Sequence, residues 1–165
     1  MRKEIYAMLC DRLSRLYELE NGDYVFVESG GDIPSGASRL IRHIDLWNHN
    51  VEFIEQEEQW ERPAVFVEFQ PIAWTVIHPG VEYRAEPVVN LHVVTDWRGS
   101  TSVGSPFKEE SLRVFDVLGI IHRVLAGVCG ETFADFDLVG SRTNHTHEEI
   151  IENIESYQCV GIKSL

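Results

Sequence analysis

The chain has 165 residues, the usual size of one domain, so a single domain over 1–165 with a real buried core is expected. Its 14 Lys and Arg against 27 Asp and Glu give a formal charge of −13, which disfavours specific nucleic-acid binding, because phosphate recognition is built on cationic neutralisation. With 44% hydrophobic residues the composition is that of a globule and not of a disordered acidic tail, and no stretch approaches the ~18 apolar residues of a membrane span.

The opening MRKEIYAMLC carries basic residues, then acids and amphipathic spacing in place of an apolar signal-peptide segment, so a soluble protein not exported by that route is expected. Cys10, Cys129 and Cys159 are odd in number and far apart, which gives neither a disulfide framework nor a Cys-x-x-Cys clip and fits a reducing compartment. Over residues 4–19, Ile5, Met8, Leu9, Leu13 and Leu16 recur at three and four, which predicts an amphipathic helix stopped by Asn21-Gly22. Residues 24–28 (YVFVE) read as a short strand closed by Ser29-Gly30-Gly31, and the chain to Ala37 reads as loop. Residues 40–58 admit two readings. Leu40, Ile44, Trp47, Val51 and Ile54 fit helical spacing, while Leu40, Ile44 and Leu46 also fit a strand; a helix is preferred over 48–58, its acids Glu55, Glu57 and Glu58 forming a solvated end.

Two apolar segments form the centre. PAVFVEF (63–69) starts with a proline where a missing N–H costs least, and in 81–97 Val81, Tyr83, Ala85, Val89, Leu91 and Val93 share one parity while Glu82, Arg84, Glu86, Asn90, His92 and Asp96 share the other. That alternation predicts a strand with one dry and one solvated face. Pro79-Gly80 marks a turn in the connection 70–80, so the two segments are expected to pair antiparallel. The Gly/Ser loop 98–106 ends in Ser105-Pro106, a helix start, and Leu112, Phe115, Val117, Leu118, Ile121, Val124 and Leu125 make a broad stripe for a long helix ended by Gly127. Phe133, Phe136 and Leu138 read as a strand and 154–162 as a last one, with 142–153 open between a helical turn and a bulged continuation. The expected class is α+β: a mostly antiparallel sheet, an N-terminal amphipathic helix, and one long helix packed on one face.

Chemistry is sparse in this chain. His145 and His147, followed by Glu148 and Glu149, are the nearest approach to a metal cluster, yet no His-Glu-x-x-His spacing supports them and an exposed polar turn is the simpler reading. His92 and His122 read as buried structural imidazoles, the three cysteines as packed thiols, and the acids Glu82, Glu86, Asp135 and Asp137 as solvated. No Gly-x-Ser-x-Gly elbow and no phosphate loop with its Lys occurs. The residues thus call for no catalytic group, no metal and no cofactor, and the expectation is a non-enzyme.

The order of an amphipathic opening helix, a proline-led central strand (Pro63-Ala-Val-Phe-Val), a Gly/Ser loop, a long helix with the core Phe115-Asp-Val-Leu and terminal strands resembles the tail terminator, or tail completion, proteins of long-tailed bacteriophages and prophages. The resemblance spans nearly the whole chain, apart from the extra 40–60 segment. It implies a structural head–tail joining protein that assembles with itself as a ring, usually of six copies, at the head-proximal end of the tail tube. Its implied partners are tail tube and head connector proteins, and its implied location is the virion, with the bacterial cytoplasm before assembly. The alternative class is a small metal-dependent hydrolase or metal-binding domain using the His145/His147 region.

Overall fold

The computed structural model describes residues 1–51, 60–144, 146 and 149–164. It opens with helix α1 (Arg2–Ser14), which buries Ile5, Leu9 and Leu13 at helical spacing. This helix is shorter than the stretch 4–19 predicted for it, because the Arg15 N–H turns back to the Arg12 carbonyl and Leu16–Glu18 departs as strand β1. Asn21-Gly22 is therefore a hairpin turn and not a helix stop. Gly22 adopts φ 84°, the Leu19 N–H donates to the Asp23 carbonyl, and β1 pairs antiparallel with β2 (Tyr24–Phe26). Both structures require a left-handed residue, so the dipeptide alone does not choose between them. The short β3 (Ser38–Arg39) pairs with β1, giving a small sheet of order β2-β1-β3.

The main sheet follows. Strand β4 (His43–Leu46) lies parallel to β5 (Ala64–Phe69), so the first half of 40–58 takes the strand alternative. The helix expected over 48–58 falls mostly outside the described residues. The connection after β5 holds a further strand, β6 (Trp74–His78), which turns through Pro79-Gly80 into β7 (Glu82–Ala85). Strand β8 (Val88–Asp96) continues the line of β7 after a break at Glu86-Pro87, where proline has no N–H for the ladder. As expected, β5 and β8 pair antiparallel, Val65 opposite Val93 and Val67 opposite Leu91.

Helix α2 (Lys108–Leu125) starts just past Ser105-Pro106, with the Ser105 hydroxyl oxygen accepting from the Phe107 N–H at 3.2 Å. Strand β9 (Phe133–Asn144) then returns along β10 (Ile150–Ser164), so the undecided stretch 142–153 belongs to two strands at both of its ends. The long β10 runs antiparallel to β8 through 150–158 and to β7 through 161–164, with β9 on its other edge. With β10 on one side of both β7 and β8, strands β5 and β6 must share the opposite side. Among the described residues this is an α+β fold of two helices and ten strands in mostly antiparallel sheets.

Both helices lie on one face. Ile5, Leu9 and Leu13 of α1 and Val117, Ile121 and Leu125 of α2 pack on Val89, Leu91 and Val93 of β8 and on Tyr157 of β10. The stripe of α2 is narrower than predicted, since Phe115 is 60% exposed. The opposite face is not solvated along β8. A second cluster of Val51, Ala64, Phe66, Val94 and Ile150, with Trp47 and Trp60 against it, covers part of that face, and Asn90 and His92 are buried there. The one-dry-face expectation is corrected accordingly: Val89 to Thr95 are buried at every position.

Two substitutions probe this core. Leu9, with no exposed surface, is expected to cost about 2–5 kcal/mol as Leu9→Ala. Tyr157 stacks on Phe136 at 5.0 Å, and its buried hydroxyl has no hydrogen-bond partner among the described residues, so Tyr157→Phe is expected to hold or raise stability. Urea melts check both, and a lower midpoint for Y157F contradicts the packing described.

Candidate functional site

The most built polar constellation lies on the face away from the helices. Glu68 near the end of β5, Asn90 and His92 on β8, Glu152 on β10 and Asn144 on β9 converge there because register sets them side by side: His92 opposite Ile154 on β10 and Phe66 on β5, Glu68 opposite Asn90, Glu152 opposite Asn144. His92 Nδ1 lies 2.6 Å from Glu152 Oε1 and its Nε2 3.2 Å from Glu68 Oε2. The imidazole thus has a carboxylate within hydrogen-bond distance of each ring nitrogen. Asn90 Nδ2 donates to Glu68 at 2.7 Å and its oxygen accepts from Ser156 at 2.8 Å, while Asn144 Nδ2 donates to Glu152 at 2.6 Å. The Trp47 ring covers the imidazole face to face, 3.8 Å between centroids and 4° between planes. Beside it is a cavity of about 250 Å³ that Arg142, Asn144 and Thr146 also line.

Burial pushes the Glu68 carboxyl up, but the hydrogen bonds from Asn90 and His92 outweigh it and hold the group below its ordinary value. The arrangement is that of a satisfied buried network, tying β5, β8, β9 and β10 together through side chains. No hydroxyl or thiol nucleophile stands against His92 in these contacts. Sequence reasoning saw His92 as buried and structural, which agrees with its 4% exposure; it missed Glu68, Glu152 and the Trp47 cover, which are set far apart in the chain.

The other sequence candidates do not converge. His145, His147 and Glu148 lie outside the described residues; Glu149 is exposed, and no metal-holding group of His, Cys, Asp and Glu occurs among the described residues. His122 is half-buried on α2, its Nδ1 without a partner among the described residues. Asp135, Asp137 and Glu86 are exposed and Glu82 half-buried, as a polar surface requires. Of the three thiols, Cys159 is packed and burial pushes it up to about 11, whereas Cys129 is exposed on the turn after α2, against the expectation of a packed thiol.

A second candidate is a surface. Every residue of β6 is exposed, including Trp74, Val76 and Ile77, and Val81 follows at the turn with 57% exposure. Strand β6 pairs with β7 on one edge and with nothing on the other among the described residues. The hairpin β6–β7 is thus an arm carrying apolar side chains and a free ladder edge. At the other end of the β7–β8 line, Trp97 is 49% exposed, near the exposed Phe115 of α2. No protein-family model matches the chain, and no curated protein matches it either. No helix among the described residues is long and apolar enough to cross a membrane.

Removing one member of the buried network is expected to be costly. His92→Ala removes the imidazole between Glu68 and Glu152, and about 3–5 kcal/mol of stability should be lost in a denaturant melt. For Glu68 the sign follows from its lowered carboxyl: the contribution is complete above the unfolded-state value and fades as pH falls through the native one. Wild type is therefore expected to exceed Glu68→Gln in stability at neutral pH and to lose that lead in acid. An advantage of wild type that persists unchanged below the carboxylate range contradicts the assignment.

Proposed function

We propose that the chain is a structural, non-enzymatic protein of a phage or prophage tail, of the tail-terminator class, that assembles with copies of itself as a ring at the head-proximal end of the tail tube. The observation that carries this reading is the β6–β7 arm. Isolated strand edges are normally charged, shortened or covered, because an open ladder beside apolar side chains invites pairing. Here the edge strand is WTVIH, with Trp74, Val76 and Ile77 all facing water in the single chain. Such a strand belongs in a contact.

The placement of the patches favours a ring over a two-fold dimer. The arm sits at one end of the β7–β8 line, and Trp97 and Phe115 sit towards the other, a separation of about 3.3 Å for each strand residue between them. Two different patches at opposite ends make a head-to-tail contact, which closes into a ring when the rotation permits. The charge of −13 supports the same reading, since an acidic lumen repels the phosphates of a passing genome and lets it slide. In this reading the long loops, over 29–37 and 98–106, meet the tail tube and head connector proteins.

Light scattering after gel filtration tests it. A closed oligomer with a mass several times that of the chain is expected at high concentration, and Ile77→Asp, which places a charge in the contact, is expected to shift the population to monomer with an unchanged melting temperature of the monomer. A wild-type chain that stays monomeric at high concentration contradicts the proposal.

A further inference from the structure

A second cleft uses neither the His92 network nor the arm. It opens on the helix face, where the small sheet, the end of β8 and the first turns of α2 meet, and encloses about 240 Å³. Four arginines line it, from four separate segments: Arg42 before β4, Arg62 before β5, Arg98 after β8 and Arg113 on α2. Glu18, Asp96 and Glu110 line it as well, which leaves one positive charge in excess on a chain whose total is −13. The local sign opposes that of the molecule.

The four cations are not equally engaged. Arg62 is closed on Asp96, and Arg113 on Glu18 with a further contact to the Tyr24 hydroxyl at 3.2 Å. Arg98 stands 3.6 Å from Asp96 and 3.8 Å from Glu110, too far for hydrogen bonds. Arg42 makes no ion pair and no side-chain hydrogen bond among the described residues and is exposed at the rim. Two guanidinium groups therefore have donors to offer. The decisive feature is neutral: Thr95, 9% exposed, lines the same cleft with its hydroxyl oxygen buried and unpartnered among the described residues. A buried hydroxyl without a partner costs about 1–3 kcal/mol, so a ligand atom is its natural complement.

We propose that this cleft binds a phosphate group of a small molecule. Donors on separate segments approach from several directions, which suits a tetrahedral oxyanion better than a planar carboxylate. The two loosely held arginines match a phosphate charge of about −1.5 to −2 at neutral pH. The first turn of α2, represented in the lining by Glu110 and Ser111, adds the positive end of an 18-residue helix. In this arrangement Arg42 and Arg98 hold the phosphate oxygens, the Thr95 hydroxyl donates to one of them, and the closed pairs of Arg62 and Arg113 hold the walls in place.

Thermal denaturation of the full chain in inorganic phosphate, against sodium chloride of equal ionic strength and against acetate, tests the site, with calorimetric titration for affinity. Phosphate is expected to raise the melting temperature beyond both controls. Arg42→Gln and Thr95→Val are each expected to weaken phosphate affinity by about tenfold or more. Neither variant is expected to lower the melting temperature without phosphate, because Arg42 has no partner to lose and Thr95→Val removes an unsatisfied hydroxyl. Adenosine monophosphate separates the two sources of the group: tighter binding than phosphate identifies an ester ligand, and equal binding identifies free phosphate. The proposal is overturned by no response beyond chloride, by an equal response to acetate, by a response undiminished in both variants, or by binding of a deoxyoligonucleotide with none of phosphate or the nucleotide.

Discussion

Over 89–95 of β8 and 152–155 of β10 the strands are covered on both faces and paired on both edges, and this double burial governs the rest of the molecule. On the helix face the packing is mostly apolar, although β10 also buries Asn153 and Glu155 there, opposite Val93 and Leu91. On the other face the strands carry Asn90, His92, Glu152 and Ser156, and a polar group removed from water must find a partner or lose free energy. Each of these side chains does find one, in a neighbouring strand. The result fixes the strand register twice over: a one-residue slip of β10 would put Glu152 among the leucines of the helix face and deprive His92 of its carboxylate. A network of this kind is weak evidence for stability gained, since desolvation offsets the attraction; its clearer consequence is that only one strand register pairs these groups.

Against that closed centre, the β6–β7 arm stands out. The chain partners Asn90, His92, Glu152 and Ser156 by hydrogen bonds across neighbouring strands, yet leaves Trp74, Val76 and Ile77 bare on a strand whose outer edge is unpaired among the described residues. Exposed apolar side chains beside an open ladder are a liability that a covering partner removes. The proposed ring resolves this contrast, because a neighbour supplies the missing cover and the missing ladder. The arginine cleft, on the helix face, is separate from both and reflects a different requirement: positive charge gathered locally on an acidic chain.

Much of this architecture was legible in the residues. The spacing of Ile5, Leu9 and Leu13, the parity of Val89, Leu91 and Val93, and the stripe from Val117 to Leu125 each named a buried face, and the α+β class followed from their order. What stayed hidden has physical reasons. Alternation of Asn90 and His92 with valines looks the same for a wet face as for a face closed by a polar network, and the Trp47 cover comes from a distant segment. Strand β6 was hidden between Pro71 and Pro79, which punctuate a connection as readily as they flank an edge strand. Asn21-Gly22 serves a helix end and a hairpin equally. The arginine cleft has no sequence pattern at all, since Arg42, Arg62, Arg98 and Arg113 meet only when sheet, loop and helix are assembled.

The central claim is that the open edge of β6 is completed by another copy of the chain. Hydrogen exchange of the β6 backbone amides, followed as protein concentration is raised, tests this most directly, since only an association that orders the edge can slow it. The account predicts rapid exchange at β6 in dilute solution, and protection that grows with concentration while the β8 amides stay protected throughout. Rapid exchange at β6 at every concentration, in a solution where the chain has associated by mass, would place the contact elsewhere and contradict the account.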